Sequence, residues 1–186
     1  MTRPLRSIAL FVLPFSMAIS GFAQDAKPVN EKCPITGKAV NPACTTTYEG
    51  ESYAFCSGAC RTKFNAERAS SIYHRLGGKA AISAAVDLFY KKVLADKTVN
   101  EFFEGVNMKR QARKQKEFVS AALGGPEPWK GKNMKRAHKD MGLTEAHFNA
   151  IAGHLKVSLE ELKVKEELID EVLAVVGTTK DDIVEK

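Results

Sequence analysis

From Ser71 to the C-terminus, apolar residues return every three or four positions, and four such stripes follow one another. Ile82, Val86, Phe89, Tyr90, Val93 and Leu94 share one face of a predicted helix, and the Gly77-Gly78 pair ahead of it ends a shorter one. Met108, Ala112, Phe118, Val119 and Ala122 form a second stripe, closed by Gly124-Gly125-Pro126. A third runs through Phe148, Ile151, Leu155, Leu159 and Leu162, with Thr144 as its cap. Leu168, Ile169, Val172, Leu173 and Val176 make the fourth, halted at Gly177. Between the second and third stripes the period fails, and there His138 stands in Asn133-Met134-Lys135-Arg136-Ala137-His138-Lys139.

The first seventy residues follow another pattern. Thr45 to Tyr48 and Ser52 to Phe55 are β-prone runs around Glu49-Gly50-Glu51, which predicts a hairpin, and one or two helical turns are expected from Cys56 to Phe64. A unit of about 35 residues is too small to be held by a core alone. Upstream, Arg3 and Arg6 precede an apolar run from Ser7 to Gly21 and small residues at Gly21 and Ala23, the pattern of a secretory signal. That run is short and broken by Pro14, so membrane attachment is expected only if it stays uncleaved. The expected organisation is a signal over 1–23, a polar leader over 24–31, a cysteine unit over 32–68 and a helical domain over 71–186, exported to the periplasm or beyond.

Charge adds a location. The formal net charge is +6, and loss of the two signal arginines leaves +4. Lys109, Arg110, Arg113, Lys114, Lys116, Lys130, Lys132, Lys135, Arg136 and Lys139 concentrate between two predicted helices, where an anionic ligand could sit or the charges could simply be solvated. No recognition motif accompanies them, which argues against nucleic acid as a partner.

Polar groups on inward faces then become informative. Gln111 and Gln115, four residues apart, lie within the second stripe, and Tyr90 lies on the first. An unsatisfied buried amide costs about 1–3 kcal/mol, so these groups bond one another, the backbone, or something in a polar-lined cavity. His147 and His154 are seven residues apart on a helix, roughly 10 Å, too far to share a metal with bonds near 2 Å; both read as packed helix histidines, and His74 gives no signal.

The segment from Tyr73 to Gly177 resembles the group I truncated hemoglobins. The resemblance is carried by Leu76-Gly77-Gly78, Phe89-Tyr90-Lys91-Lys92-Val93-Leu94-Ala95-Asp96, Phe102-Phe103, Asn107-Met108, Ala121-Ala122-Leu123-Gly124-Gly125-Pro126, His138, and His147-Phe148 with Ala152-Gly153-His154-Leu155. It implies a mainly α, two-over-two globin around heme b, with His138 as proximal iron ligand and Tyr90, Gln111 and Gln115 on the distal side. Phe103 and Met108 fall among the heme-contacting residues. A glutamine at position 111 departs from the apolar residue usual there. An open sixth position would bind a diatomic gas, O2 or NO, and donors over the iron would hold a ligand that gains negative charge on coordination. Nitric oxide dioxygenation is the enzymatic alternative; it would need an external electron donor, since no flavin or nicotinamide motif occurs in the chain.

Cys33, Cys44, Cys56 and Cys60 are the only cysteines, and two disulfides in any of three connectivities would suit an exported protein. Cys56 and Cys60, four apart on a predicted helical turn, suit a shared metal equally. Cys33-Pro34-Ile35-Thr36-Gly37, Tyr48-Glu49-Gly50, Tyr53-Ala54-Phe55-Cys56, Cys60 and Phe64 together resemble the YHS domain, a small α+β cysteine module. That resemblance implies a soft metal, zinc or copper, at Cys33, Cys56 and Cys60, and with it a metal-handling or redox-sensing alternative for the whole protein.

Overall fold

The computed structural model describes residues 27–185, so the expected signal segment and the start of the leader lie outside the described residues. Of the described residues, the first to organise are a hairpin, β1 (Asn41–Tyr48) and β2 (Glu51–Phe55), paired antiparallel with Tyr48 opposite Glu51 and Thr46 opposite Tyr53. Glu49 and Gly50 turn with φ of 52° and 83°, both left-handed as a two-residue hairpin turn requires. The first strand reaches back past the expected Thr45 to Asn41, through a bulge over the stretch containing Pro42, which has no N–H for the ladder.

Helix α1 (Gly58–Ser70) starts where the Ser57 hydroxyl accepts from the Cys60 N–H. It is longer than the expected one or two turns because Cys60 and Phe64 bury one face and Arg68 finds a partner across the molecule. Ser71, at the expected boundary, ends α1 and caps α2 (Ile72–Leu76). Gly77, with φ of 105°, then closes α2 and leads into α3 (Gly78–Ala95).

A 3₁₀ turn (Asn100–Phe103) connects α3 to α4 (Met108–Ala122); the five-residue α5 (Met134–His138) carries the aperiodic segment. Helix α6 (Glu145–Glu161) opens on Thr144 through a reciprocal cap in which the His147 ring accepts the Thr144 N–H. Then come α7 (Glu166–Gly177) and the short α8 (Lys180–Ile183). Helix α3 packs against α4 and α6, α6 packs against α7, and α8 packs against α5. The result is the mainly helical two-over-two arrangement expected. Its core contains Tyr73, Ile82, Val86, Phe89, Val93, Val99, Leu123, Leu159, Ile169 and Val172, each aliphatic side chain contributing about 1.5–3 kcal/mol of burial. No helix among the described residues is long and apolar enough to cross a membrane.

The cysteine unit has its own small core, Cys33, Cys44, Tyr53, Phe55, Cys60 and Phe64, and Tyr48 packs into both cores. The Glu49 carboxylate reaches into the helical domain, accepting from the Tyr73 hydroxyl and, at 3.2 Å, from the Lys79 N–H at the start of α3. Gly78 makes this approach feasible: a Cβ there would lie 2.0 Å from Glu49 Oε1.

Candidate functional site

On α5, Asn133 caps the helix by accepting from the Arg136 N–H at 2.9 Å, and the His138 ring then lies within reach of the preceding turn. Nδ1 of His138 sits 2.9 Å from the Met134 carbonyl oxygen. A carbonyl only accepts, so Nδ1 carries the proton and Nε2 keeps its lone pair. That tautomer is the one a ligating imidazole uses, oriented by a backbone acceptor. The ring is half-buried.

Tyr90 lies on the buried face of α3, and burial pushes its phenol above the ordinary value near 10 while the Gln111 hydrogen bond pulls the other way. Its proton therefore stays on. Gln111 Nε2 donates to Tyr90 Oη at 3.2 Å, which leaves the phenolic O–H free to donate elsewhere. Gln115, one turn further along α4, is half-buried, and its side-chain amide has no hydrogen-bond partner among the described residues. The ring of Phe103 meets Tyr90 edge-on at 5.8 Å, and Met108 rests against the core beside them. No residue of α4 is buried, although Met108, Ala112 and Val119 all face the core.

These residues fit heme on the chemistry of their donors: one imidazole with a free Nε2, a neutral phenol and amides as hydrogen-bond donors, and an apolar helix face left half-covered for a flat hydrophobic group. Lys109, Arg110, Lys114, Lys130, Lys132, Lys135 and Arg136 form no ion pair among the described residues and could meet propionates, whereas Lys116 is bonded to Asp87. The two helix histidines are structural, as expected: His147 caps α6 and packs on Phe102 at 4.9 Å, and His154 Nε2 lies 2.7 Å from Asp96. The hydroxyl and N–H of Thr98, then His154, hold the Asp96 carboxyl down at about 2.

The structure also brings Cys33, Cys56 and Cys60 together, their sulfurs all within 4.8 Å of one another. All four cysteines are free thiols, and Cys44 is buried nearby without joining the trio. Cys33 sits in a tight turn in which Gly37 N–H donates to its carbonyl and its own N–H donates to Lys38 O, both at 2.8 Å. Burial alone would push its thiol up. Hydrogen bonds from the Cys56 N–H, the Thr36 hydroxyl and the N–H groups of Ile35 and Thr36 outweigh that and bring it to about 6. Cys60 is held above its ordinary value, because the Cys56 thiol, burial and Cys33 together outweigh the favourable Ser57 hydroxyl. Sulfur-to-sulfur separation is 3.5 Å for Cys56 and Cys60, and Thr36 Oγ1 lies 3.3 Å from Cys56 Sγ.

Sequence reasoning did not single out Arg68, and it named Tyr53 only within the YHS-like motif. Arg68 Nη1 donates to Gly124 O at 2.7 Å, and Tyr53 Oη donates to Glu127 Oε1 at 3.1 Å, so the cysteine unit grips the segment between α4 and α5. The one available sign was the i, i+4, i+8 spacing of Cys60, Phe64 and Arg68.

Comparison with known proteins agrees with this geometry. The family profile described as bacterial-like globin matches residues 71–185. A group 1 truncated hemoglobin of Tetrahymena thermophila is 47% identical over 116 residues, 62% of this chain and 96% of that protein. Ferric truncated hemoglobin of Tetrahymena pyriformis superposes with a TM-score of 0.61 at 46% identity, covering 63% of this chain and all of that one. The 2/2 hemoglobin of Synechococcus sp. PCC 7002, solved with covalently attached heme, gives 0.60 at 43%, with the same coverage. Three solved variants of the Tetrahymena pyriformis protein replace one tyrosine and two glutamines at successive separations of 21 and 4 residues, the separations of Tyr90, Gln111 and Gln115 here. Paired glutamines are thus not peculiar to this chain. Through residues 71–185 the chain belongs to the bacterial-like globin family, as a group 1 truncated hemoglobin.

Proposed function

We propose that this is an exported heme protein in which His138 supplies Nε2 as the proximal ligand and Tyr90, Gln111 and Gln115 form the distal polar wall. Reversible heme-based ligand binding belongs to the globin family; the residue roles, the preference for O2 or NO, and export are the proposal. Heme bound here supplies an iron with one open position for a diatomic gas. The observation that carries the reading is the Gln111 to Tyr90 hydrogen bond, which fixes the phenol and leaves its proton to donate to a ligand that has gained negative charge. Gln115, without a protein partner among the described residues, is the second donor. Phe103 and Met108 would pack on the porphyrin. Reconstitution with hemin tests this: a Soret band is expected, lost or shifted in His138→Gly and restored by free imidazole. A colourless reconstituted protein would refute it.

The same distal wall would serve nitric oxide dioxygenation if an external donor returned an electron each turnover. Rapid mixing of the oxygenated protein with nitric oxide, followed by reduction trials, separates the two: a single turnover without re-reduction leaves binding as the function.

Cys33, Cys56 and Cys60 are read as thiolate ligands for one soft d¹⁰ ion, zinc or cuprous copper, because three sulfurs already converge and one is poised to ionise. An exported dithiol 3.5 Å apart would otherwise oxidise. Metal analysis of protein purified without reductant should give one equivalent, and two disulfides with no metal would overturn this reading. Localisation is tested by fractionation, with processed protein expected outside the cytoplasm.

A further inference from the structure

Tyr53 and Arg68 lie on the two elements that present two of the three converging thiols, Cys56 and Cys60. Cys56 follows the last residue of β2, three positions after Tyr53, and Cys60 sits in the first turn of α1, two turns before Arg68. Cys60, Phe64 and Arg68 share one face of α1, spanning roughly 12 Å. Phe64 fills the core of the cysteine unit, and the Arg68 guanidinium stacks over its ring at 4.9 Å. From there Arg68 reaches the Gly124 carbonyl at 2.7 Å, and Tyr53 reaches Glu127 at 3.1 Å. Tyr73 N–H adds a bond to Leu123 O at 2.9 Å. Every one of these acceptors belongs to the chain leaving α4, which bears Gln111 and Gln115, on its way to α5, which bears His138.

The fit at this junction is tight. Gly124 has φ of +86°, and a Cβ there would lie 2.9 Å from the Ser71 side chain; a Cβ on Gly125 would lie 2.6 Å from Ser120 O. Backbone approached this closely transmits displacement rather than absorbing it, since packed interiors have low compressibility. A displacement has a source at the thiols. Metal–sulfur bonds of about 2.3 Å set sulfur–sulfur edges near 3.8–4.0 Å for tetrahedral or trigonal geometry. In the present cluster Cys56 and Cys60 are 3.5 Å apart and all three sulfurs lie within 4.8 Å of one another, so loading spreads Cys56 from Cys60. That re-seats the end of β2 against the start of α1.

We infer that Arg68 and Tyr53 are positioning residues for the segment joining the distal and proximal helices, so that a soft metal ion at Cys33, Cys56 and Cys60 changes how the heme site holds its gas ligand. The inference rests on the metal reading above and adds the direction in which the site reports.

The test uses full-length holoprotein, with zinc as probe because it is redox-silent toward heme. Zinc uptake is measured by metal analysis, and on the same samples the iron–histidine stretching frequency and the O2 dissociation rate are recorded with and without one equivalent. In the native protein, loading is expected to shift the stretching band and change the rate by about fivefold, the lower end of ordinary intersite coupling. Arg68→Ala with Tyr53→Phe should bind zinc and lose the response, and Arg68→Lys should restore part of it. Uptake without change in band or rate overturns the inference and leaves the metal site standing. A response that persists undiminished in the double variant also overturns it, and failure to take up zinc removes both readings at once.

Discussion

Replacing Tyr90 by Phe isolates the distal hydroxyl from everything else that residue does. The ring is 7% exposed and packs against Phe89 at 5.1 Å and Phe103 at 5.8 Å, contacts that a phenylalanine keeps. What disappears is one acceptor for Gln111 Nε2 and, on the proposed reading, one donor toward the ligand. The first loss is small, about 0.5–1.5 kcal/mol, because Gln111 is only half-buried and can turn to water. The second is larger: a donor to a negatively polarised ligand contributes about 1.5–3 kcal/mol, which is roughly a ten- to hundredfold change in release. Oxygen dissociation, followed by rapid mixing of the oxygenated ferrous protein with carbon monoxide, should accelerate by that factor. Carbon monoxide dissociation should change little, because that ligand gains little charge. Burial raises the phenol above its ordinary value of 10.0, so the native rate should be flat through neutral pH. An oxygen rate altered by less than about twofold with an intact Soret band would refute the donor role, since that is under half a kcal/mol.

Other consequences follow from the same contacts. His138→Gly should bind hemin with a displaced Soret band that millimolar imidazole restores; a native-like spectrum without imidazole would move the proximal ligand elsewhere. Gly124→Ala forces a side chain into a left-handed backbone and onto Ser71. It should cost about 2 kcal/mol and lower the thermal midpoint by roughly 4–8 °C, measured by circular dichroism. The Asp96 carboxyl is depressed from 3.8 to about 2, so its contribution is complete above pH 3.8 and fades as pH falls through 2. The stability advantage of the native protein over Asp96→Asn should therefore shrink across that window, and an advantage independent of pH there would show that Thr98 and His154 do not favour the ionised form.

The long helices were legible because burial imposes their period: the stripes named in the sequence fall on α3, α4, α6 and α7, although Leu94 and Leu162, at the C-terminal ends of theirs, stay exposed. Helix α5 was not, since five residues cannot display a repeat; His138 stood out by its aperiodic setting, and its role as iron ligand came through likeness to a family. Gln111 and Gln115 were visible as amides on an apolar face, but which of them meets Tyr90 depends on the approach of α4 to α3, a tertiary fact. The thiol trio was half legible. The spacing of Cys56 and Cys60 is local, whereas Cys33 joins them through a turn more than twenty residues away. The seam between the two parts was invisible for a sharper reason. Glu49, Gly78, Tyr73, Arg68 and Gly124 are each unremarkable where they stand, and only their meeting gives them meaning.

That seam bears on which part depends on the other. The two solved relatives described above are covered completely by the globin region, so a two-over-two globin stands without a cysteine unit. The reverse is not expected. Six buried residues form the cysteine unit's core, three of them cysteines, and Tyr48, which extends that core, also packs into the globin. Few apolar side chains must offset the ordering of some forty residues, at about 1–2 kcal/mol each for the backbone alone, so external support is required. One source is the globin surface, through Glu49, Tyr53 and Arg68; the soft metal proposed for the three thiols would be a second. Residues 71–186 expressed alone should fold and bind hemin, whereas residues 27–70 alone should show native-like circular dichroism only with zinc. A metal-free fragment that unfolds cooperatively would show that the small core suffices, and the bonds across the seam would then have to be explained by what they do to the heme side.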